Sequence, residues 1–141
     1  MITIFNINKN TTELSDTQRG WLLDAIEKYA DTPDGCWIDY VPYSSITYKW
    51  KADFEGSDIM AARPLTGNSI YLMPNGDNSK IWVDIIAPAA IHELRHIWQR
   101  QKYGILIYSL LSVVSKIPGL YMLSPLEKDA FDQQDKAAKY I

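Results

Sequence analysis

Residues 88–103 read PAAIHELRHIWQRQKY, and this stretch decides the interpretation of the whole chain. Pro88 suits the first turn of a helix, and Gly104 suits the residue that follows its end. At about 100° per residue, one side of this helix collects the apolar residues Ala90, Ile91, Leu94, Ile97 and Trp98. The opposite side carries both histidines of the chain and Gln99. The pattern therefore predicts a helix that packs its apolar side on a sheet and turns its histidine side toward a cleft.

The two histidines have the spacing of metal ligands. Residues four apart on a helix are neighbours, so the imidazoles of His92 and His96 can bind one ion. Glu93 lies about a quarter turn round the helix, where it can reach a water on that ion without being a ligand itself. The alternative is a surface helix with two unrelated histidines and a solvated glutamate. Because the chain has two histidines in all, this spacing around a glutamate rarely arises by chance, and we favour the metal site.

A catalytic zinc site needs a third protein ligand and an open position for water. No histidine remains and Cys36 lies far upstream, so a downstream acidic residue is expected. The candidates are Glu127, Asp129, Asp132 and Asp135. Glu127 aligns with the edge of an apolar stripe, whereas the aspartates fall mostly toward solvent. Ser124-x-x-Glu127 is also a capping box, in which the glutamate needs no metal. Both roles stay open for Glu127, and zinc is inferred from a ligand set that other divalent ions also accept.

Turn residues and hydrophobic periodicity divide the rest of the chain. Helices are predicted from Ser15 or Asp16 to Ala30, and from Ser124–Glu127 to the C-terminus. A short strand is predicted through Ile2, Ile4 and Ile7, and a strand region from Cys36 to Trp50 is predicted to break near Pro42. Two further strands are predicted at Ser69–Met73 and Lys80–Ile86, on either side of a turn at Pro74–Asn78. Residues 51–68 are expected to be mostly loop. Strands in the middle and helices at the end predict an α+β domain.

Composition limits the class of protein. The chain has 141 residues, of which 47% are hydrophobic and 22% charged, which is typical of one soluble globular domain. A net charge of −3 with scattered Lys and Arg gives no sign of a nucleic-acid partner. The single cysteine, Cys36, excludes a disulfide framework. No signal peptide is recognised, so the cytoplasm is expected, although a virion or signal-free export would leave the same sequence pattern. The apolar residues 104–114 are too short to span a bilayer, and we expect a buried helix rather than an interfacial one.

Two segments carry a resemblance to a known family. His92-Glu-Leu-Arg-His96-Ile-Trp-Gln99 resembles the H-E-L-x-H-x-x-Q helix of small zincin metallopeptidases, including those of phage and toxin-associated proteins. Pro125-Leu-Glu127-Lys-Asp-Ala130 resembles the E-x-x-A segment that brings the third ligand in gluzincins. The resemblance covers about residues 69–132, and the first 60 residues match nothing. It implies a minimal zincin-like domain, with one Zn²⁺ held by His92, His96 and Glu127 and with Glu93 as general base.

The resemblance also implies how substrate binds. A small mixed or antiparallel sheet packs on the active-site helix, and an extended peptide adds to its edge strand. The expected edge residues are Ser69, Ile70, Tyr71, Leu72 and Met73, with Lys80–Asp84 as the second choice. At this size the cleft is shallow or is completed by a protein partner.

Some roles that the family fills stay open in this sequence. Candidates for stabilising the transition state or orienting a ligand are Tyr103, Tyr121 and Asp129, with Arg95, Asp84 and Asp132 as weaker ones. The leading function is a zinc endopeptidase. The alternatives are a catalytically silent zincin-like interaction protein, for example a phage or effector component, and a hydrolase of non-peptide amides.

Overall fold

The computed structural model describes residues 10–63, 68–104 and 125–141. Within these ranges the chain forms four strands and three α-helices. In order they are β1 (Thr11–Glu13), α1 (Asp16–Ala30), β2 (Thr47–Lys51), β3 (Ala61–Ala62), β4 (Ser69–Leu72), α2 (Lys80–Tyr103) and α3 (Pro125–Tyr140). Three short 3-10 helices lie at Cys36–Tyr40, Tyr43–Ser45 and Ala52–Phe54. The predicted α+β class with a helical C-terminal part is confirmed.

The strands form one sheet in the order β1-β2-β4-β3. β2 pairs antiparallel with β1 and parallel with β4, and β3 pairs antiparallel with β4. The sheet is therefore small and mixed, as predicted. Its inner strands bury Tyr48 and Trp50 on β2 and Ile70, Tyr71 and Leu72 on β4. These side chains help to form the core on which the helices pack.

The helix predicted near Ser15 is confirmed as α1, and its start shows why it forms there. The Ser15 hydroxyl accepts a hydrogen bond from the Gln18 backbone, and the Gln18 side chain accepts one from the Ser15 backbone. Both exposed donors at the helix end are thus satisfied. Leu22, Ala25, Ile26 and Tyr29 follow at helical spacing and are buried.

The predicted strand at Lys80–Ile86 is wrong, because these residues form the first two turns of α2. The Ser79 side chain accepts a hydrogen bond from the Trp82 backbone and caps the helix. The buried stripe of the histidine helix extends back through Val83, Ile86 and Ala87, so packing on the core outweighs the strand preference of the β-branched residues. Pro88 therefore lies inside the helix rather than in its first turn, and cannot donate a hydrogen bond to Asp84.

The region from Cys36 to Trp50 was predicted as strands and is mostly not. Two 3-10 helices occupy Cys36–Tyr40 and Tyr43–Ser45, and the chain becomes extended only at β2. Trp37 and Ile38 are buried from the first 3-10 helix, so the aromatic composition reflects burial rather than strand pairing. The strand predicted through Ile2, Ile4 and Ile7 lies outside the described residues, and so does the apolar segment 104–114 apart from Gly104.

The helix α3 packs along α2 and also contacts α1. Its buried face consists of Leu126, Ala130, Gln133 and Ala137. This packing lays the first turns of α3 over the histidine side of α2, which positions the site described below. None of the helices in the described ranges is both long enough and apolar enough to cross a membrane.

Candidate metal centre

Three predicted ligands meet between α2 and α3. The carboxylate of Glu127 lies 3.6 Å from Nε2 of His92 and 2.6 Å from Nε2 of His96. One ligand atom of each residue falls within 4.8 Å of the others. In a tetrahedral zinc site with bonds of about 2.1 Å, neighbouring ligand atoms stand roughly 3.3 Å apart. The His92 contact already has about that separation, whereas the short hydrogen-bonded contact at His96 would open by roughly 0.7 Å around an ion.

The cluster is buried, which distinguishes it from a chance grouping on a surface. His92 and His96 are each 7% exposed, and Glu127 is half-buried. Nδ1 of His92 is buried and has no hydrogen-bond partner within the described residues. At 3.6 Å its Nε2 is also beyond hydrogen-bonding distance of Glu127. A buried ring nitrogen without a hydrogen bond is costly, and a cation bound at Nε2 of the same ring would offset part of that cost. The donor set therefore fits a divalent ion such as zinc.

Glu127 was left with two roles, and its contacts favour the ligand role. The carboxylate contacts both histidines. Ser124, the other half of the predicted capping box, lies outside the described residues. The cap therefore stays a prediction.

Glu93 is buried beside the cluster on the same helix. Burial raises the pKa of this carboxyl, while the charges of His96, His92 and Arg63 act to lower it. The net effect is a raised pKa. A carboxylate whose pKa moves upward toward neutrality is better suited to accept and return a proton. The position agrees with the predicted role of general base.

The tautomer of His96 is set by Gln99. The Gln99 amide nitrogen donates to the Leu126 carbonyl at 2.9 Å and to the Asp129 carboxylate at 2.8 Å. Its oxygen therefore faces His96, whose Nδ1–H donates to it at 2.8 Å. Nε2 of His96 is thereby directed toward Glu127, where it carries the proton of the 2.6 Å hydrogen bond, and a metal ion bound at Nε2 would take the place of that proton.

The same contacts act on the pKa of His96. Burial alone would lower it, but the hydrogen bond to Glu127 and the charges of Glu93 and Glu127 outweigh burial, so the pKa of His96 is raised. In this arrangement the proton and a metal ion would compete for the same nitrogen.

Asp129 holds the Gln99 side chain that contacts His96. It accepts two hydrogen bonds from the Arg95 guanidinium, at 2.7 and 3.1 Å, besides the one from Gln99. Burial would raise the pKa of Asp129, but the Arg95 and Gln99 hydrogen bonds lower it, so the group stays ionised. Arg95 itself lies between the rings of Trp37 and Trp98, at 4.8 and 3.7 Å from their centroids. Asp129 was predicted to orient a metal-binding histidine, and its contact with His96 is indirect, through the side chain of Gln99.

The predicted substrate edge strand needs a correction. Ser69–Leu72 forms β4, which is paired with β2 on one side and with β3 on the other. Met73 continues this pairing, because its backbone N–H donates to the carbonyl of Met60 at 2.9 Å. The strands at the two borders of the sheet are β1 and β3, and β3 packs against α2. Ala61 and Ala62 carry no strand signal, so β3 was not predicted. The second choice, Lys80–Asp84, is helical.

Three of the remaining candidates contact residues outside the cluster. Tyr103 is 42% exposed and packs against Trp98, with ring centroids 6.5 Å apart. Asp84 pairs with Lys80, and Asp132 pairs with Lys136. Tyr121 lies outside the described residues.

Two neighbours of the cluster were missed by the sequence reasoning. Phe131 packs edge-on against His92, with ring centroids 4.5 Å apart, and so restricts the imidazole. Its place four residues after Glu127 on a helix was the available signal. Arg63 is near enough for its charge to act on Glu93. No local pattern could have placed it there, because it follows a two-residue strand far from α2 in the sequence.

Comparisons of the chain with family models, curated proteins and solved structures gave no match. The zincin resemblance therefore stays a prediction that rests on the residues themselves.

Proposed function

We propose that this protein is a zinc-dependent hydrolase of the metallopeptidase type. The observation that carries the proposal is the convergence of His92, His96 and Glu127 beside the buried carboxyl of Glu93. Two imidazoles and one carboxylate form a known ligand set of catalytic zinc, which keeps a position open for water.

Each residue then has a distinct task. When bound, the metal ion polarises the scissile carbonyl and lowers the pKa of the attacking water. Glu93 takes a proton from that water and returns it to the leaving amine nitrogen. Gln99 holds His96 in the tautomer that presents Nε2, and Asp129 fixes Gln99. The helix α3 shields the ligands from bulk water on one side.

A silent metal-binding scaffold is the second candidate. The position of Glu93 favours the enzyme, because a purely structural site gains nothing from burying a carboxyl whose pKa is raised by that burial. A carboxyl kept there at a cost in stability is better explained by chemistry than by folding.

Metal content and peptide hydrolysis, measured on the same samples, test the proposal. Wild-type protein is expected to carry about one zinc per chain and to cleave members of a mixed peptide library read by mass spectrometry. Glu127→Ala should lose stoichiometric zinc, whereas Asp135→Ala, an exposed acid on the same helix, should keep it. Glu93→Gln should keep zinc and lose cleavage by about 10²–10⁴-fold.

The possible results separate the candidates. Zinc in wild type with no cleavage of any peptide would favour the silent scaffold. No zinc after supply of the metal, or equal zinc in Glu127→Ala, would remove the metal centre altogether. Cleavage unchanged in Glu93→Gln would exclude this residue as the base.

A further inference from the structure

Two groups of contacts between α2 and α3 lie side by side at the proposed metal centre. In the first, Glu127 contacts the imidazoles of His92 and His96. In the second, Asp129 accepts hydrogen bonds from Nε and Nη2 of Arg95 at 2.7 and 3.1 Å. Arg95 directly precedes His96 on α2, and Asp129 follows Glu127 by two residues on α3. The ion pair and the proposed ligands therefore belong to the same stretch of both helices.

The two carboxylates stand on opposite flanks of α3. At about 100° per residue, Asp129 lies about 200° from Glu127 around the helix axis. Between them, on the side toward the core, lies the buried stripe of α3, which consists of Leu126, Ala130, Gln133 and Ala137. Apolar burial is non-directional, so the apolar part of this stripe leaves the rotation of α3 about its own axis weakly defined. A bidentate ion pair has a fixed geometry and can define that rotation.

The Arg95 side chain is itself fixed by its neighbours. Its guanidinium packs on the rings of Trp98 and Trp37, at 3.7 and 4.8 Å from their centroids, and the two rings meet at 62°. Nε1 of Trp37 donates at 2.8 Å to the side chain of Gln133, which lies four residues after Asp129 on α3. These contacts form a closed network that begins and ends on α3. The stacked, planar guanidinium thus holds one flank of α3 in place.

We propose that Arg95 is a positioning residue for Glu127. Its ion pair with Asp129 sets the rotation of α3 about its own axis, and that rotation brings the Glu127 carboxylate to the two histidines. The inference rests on the proposed function, because it assigns Arg95 a task at that same metal centre. It is separate from the effect of Gln99, which acts on the imidazole of His96 rather than on the third ligand.

Zinc affinity of the folded protein tests the inference. The measurement is the zinc dissociation constant by competition with a chelator, without denaturant and on variants whose circular dichroism shows them to be folded. Arg95→Gln should weaken zinc binding by about 10–100-fold, the range typical of residues that orient a metal ligand. Asp132→Asn is the matched control, because it breaks an exposed ion pair with Lys136 that lies within α3 alone, and it should leave zinc affinity unchanged.

A double variant identifies the route of the effect. Glu127→Ala removes the third ligand and leaves a weaker two-histidine site, whose zinc affinity is measured at a higher metal concentration. Adding Arg95→Gln to Glu127→Ala should change this remaining affinity by less than about twofold, because the carboxylate that Arg95 positions is gone. A residue that acted through Gln99 on His96, or on the fold in general, would lower the remaining affinity as well.

A second variant keeps the test open if Arg95→Gln does not fold. Asp129→Asn removes the same ion pair from the side of α3, while its amide oxygen can still accept the hydrogen bond from Gln99. It should weaken zinc binding in the same range as Arg95→Gln, and it too should have no further effect when Glu127 is replaced by alanine.

The other outcomes contradict the inference. Zinc affinity equal to that of wild type in folded Arg95→Gln or Asp129→Asn would overturn it and leave the metal centre standing. An equal loss in Asp132→Asn would show a general effect of charge on α3, and a full further loss in the Glu127→Ala background would show another route. Either result would also overturn it. If wild type itself binds no zinc, the proposed function fails, and the inference fails with it.

Discussion

At the scale of single residues, the amide of Gln99 connects His96, a proposed metal ligand, to the rest of the fold. It accepts from His96, donates to Asp129 and donates to the backbone of Leu126 on α3. These three contacts give both the oxygen and the nitrogen of the fully buried amide a hydrogen-bond partner. A buried amide held in this way presents its oxygen in one direction only, and the imidazole follows.

Replacing Gln99 by leucine is expected to weaken zinc binding by about 10–100-fold, because His96 loses the acceptor that fixes its Nδ1–H. The measurement is the zinc dissociation constant by competition with a chelator, taken together with the free energy of unfolding of the metal-free protein. Gln134→Leu, at a partly exposed position on α3, serves as control. A loss of stability with no change in zinc affinity would mean that Gln99 is structural.

Spacing in the sequence predicted the ligand triad, but not the residues around it. His92, Glu93 and His96 follow from helical geometry alone, and Glu127 follows from its place at the edge of an apolar stripe. Gln99 fell on the correct side of the helix, but its partner Leu126 offers a backbone carbonyl, which no side-chain pattern reveals. Arg63 comes from a segment without periodicity, so its approach to Glu93 depends on the tertiary fold.

At the scale of elements, the start of α1 was predicted correctly, whereas the start of α2 was placed too late because of Pro88. Ser15 marks the start of α1 through a reciprocal pair of hydrogen bonds with Gln18. The Ser79 side chain also caps α2. Pro88 lies nine residues later, and because proline is typical of a first helical turn, the helix was predicted to begin there. A proline inside a helix is tolerated here because the element is buried along most of its length.

The cap of α1 gives a stability prediction. Ser15→Ala should lower the free energy of unfolding by about 1 kcal/mol, because the Gln18 backbone N–H loses its acceptor. The Gln18 side chain keeps its contacts with the backbone N–H of residue 15 and with Nε1 of Trp50, because neither involves the lost hydroxyl. The check is denaturant unfolding, with Thr17→Ala as an exposed neighbour expected to change stability by less than about 0.5 kcal/mol. Equal stability of Ser15→Ala and wild type would show that water replaces the cap.

At the scale of the whole molecule, the proposed metal ligands depend on how α3 is held against the rest of the chain. Glu127 lies in the first turn of α3, and the other two ligands lie on α2. Two turns further along, the Gln133 oxygen accepts from the Tyr29 hydroxyl at 2.6 Å and from Nε1 of Trp37 at 2.8 Å. These contacts join α3 to α1 and to the first 3-10 helix.

Protonation keeps this junction intact at neutral pH. Burial and the nearby charge of Asp34 raise the pKa of Tyr29 to about 12, so its hydroxyl remains a donor. Trp37 can only donate, and Gln133 is the acceptor that it reaches. Both donors would therefore lose this shared acceptor if the glutamine were removed.

Gln133→Leu is accordingly expected to lower the free energy of unfolding by about 2–3 kcal/mol. The substitution leaves the buried indole N–H of Trp37 without its acceptor, and it leaves the Tyr29 hydroxyl with only the 3.3 Å contact to the carbonyl of Asp34. Since α3 carries Glu127, zinc should stabilise the variant less than wild type if the docking of α3 shapes the site, because only the folded state binds the ion. Urea unfolding with and without zinc measures both effects, and Gln134→Leu is the matched control on the neighbouring position. A stability equal to that of the control would show that α3 is held by its apolar face alone. Equal stabilisation of variant and wild type by zinc would separate the docking of α3 from the metal centre, and the link between fold and site would then have to be sought in α2.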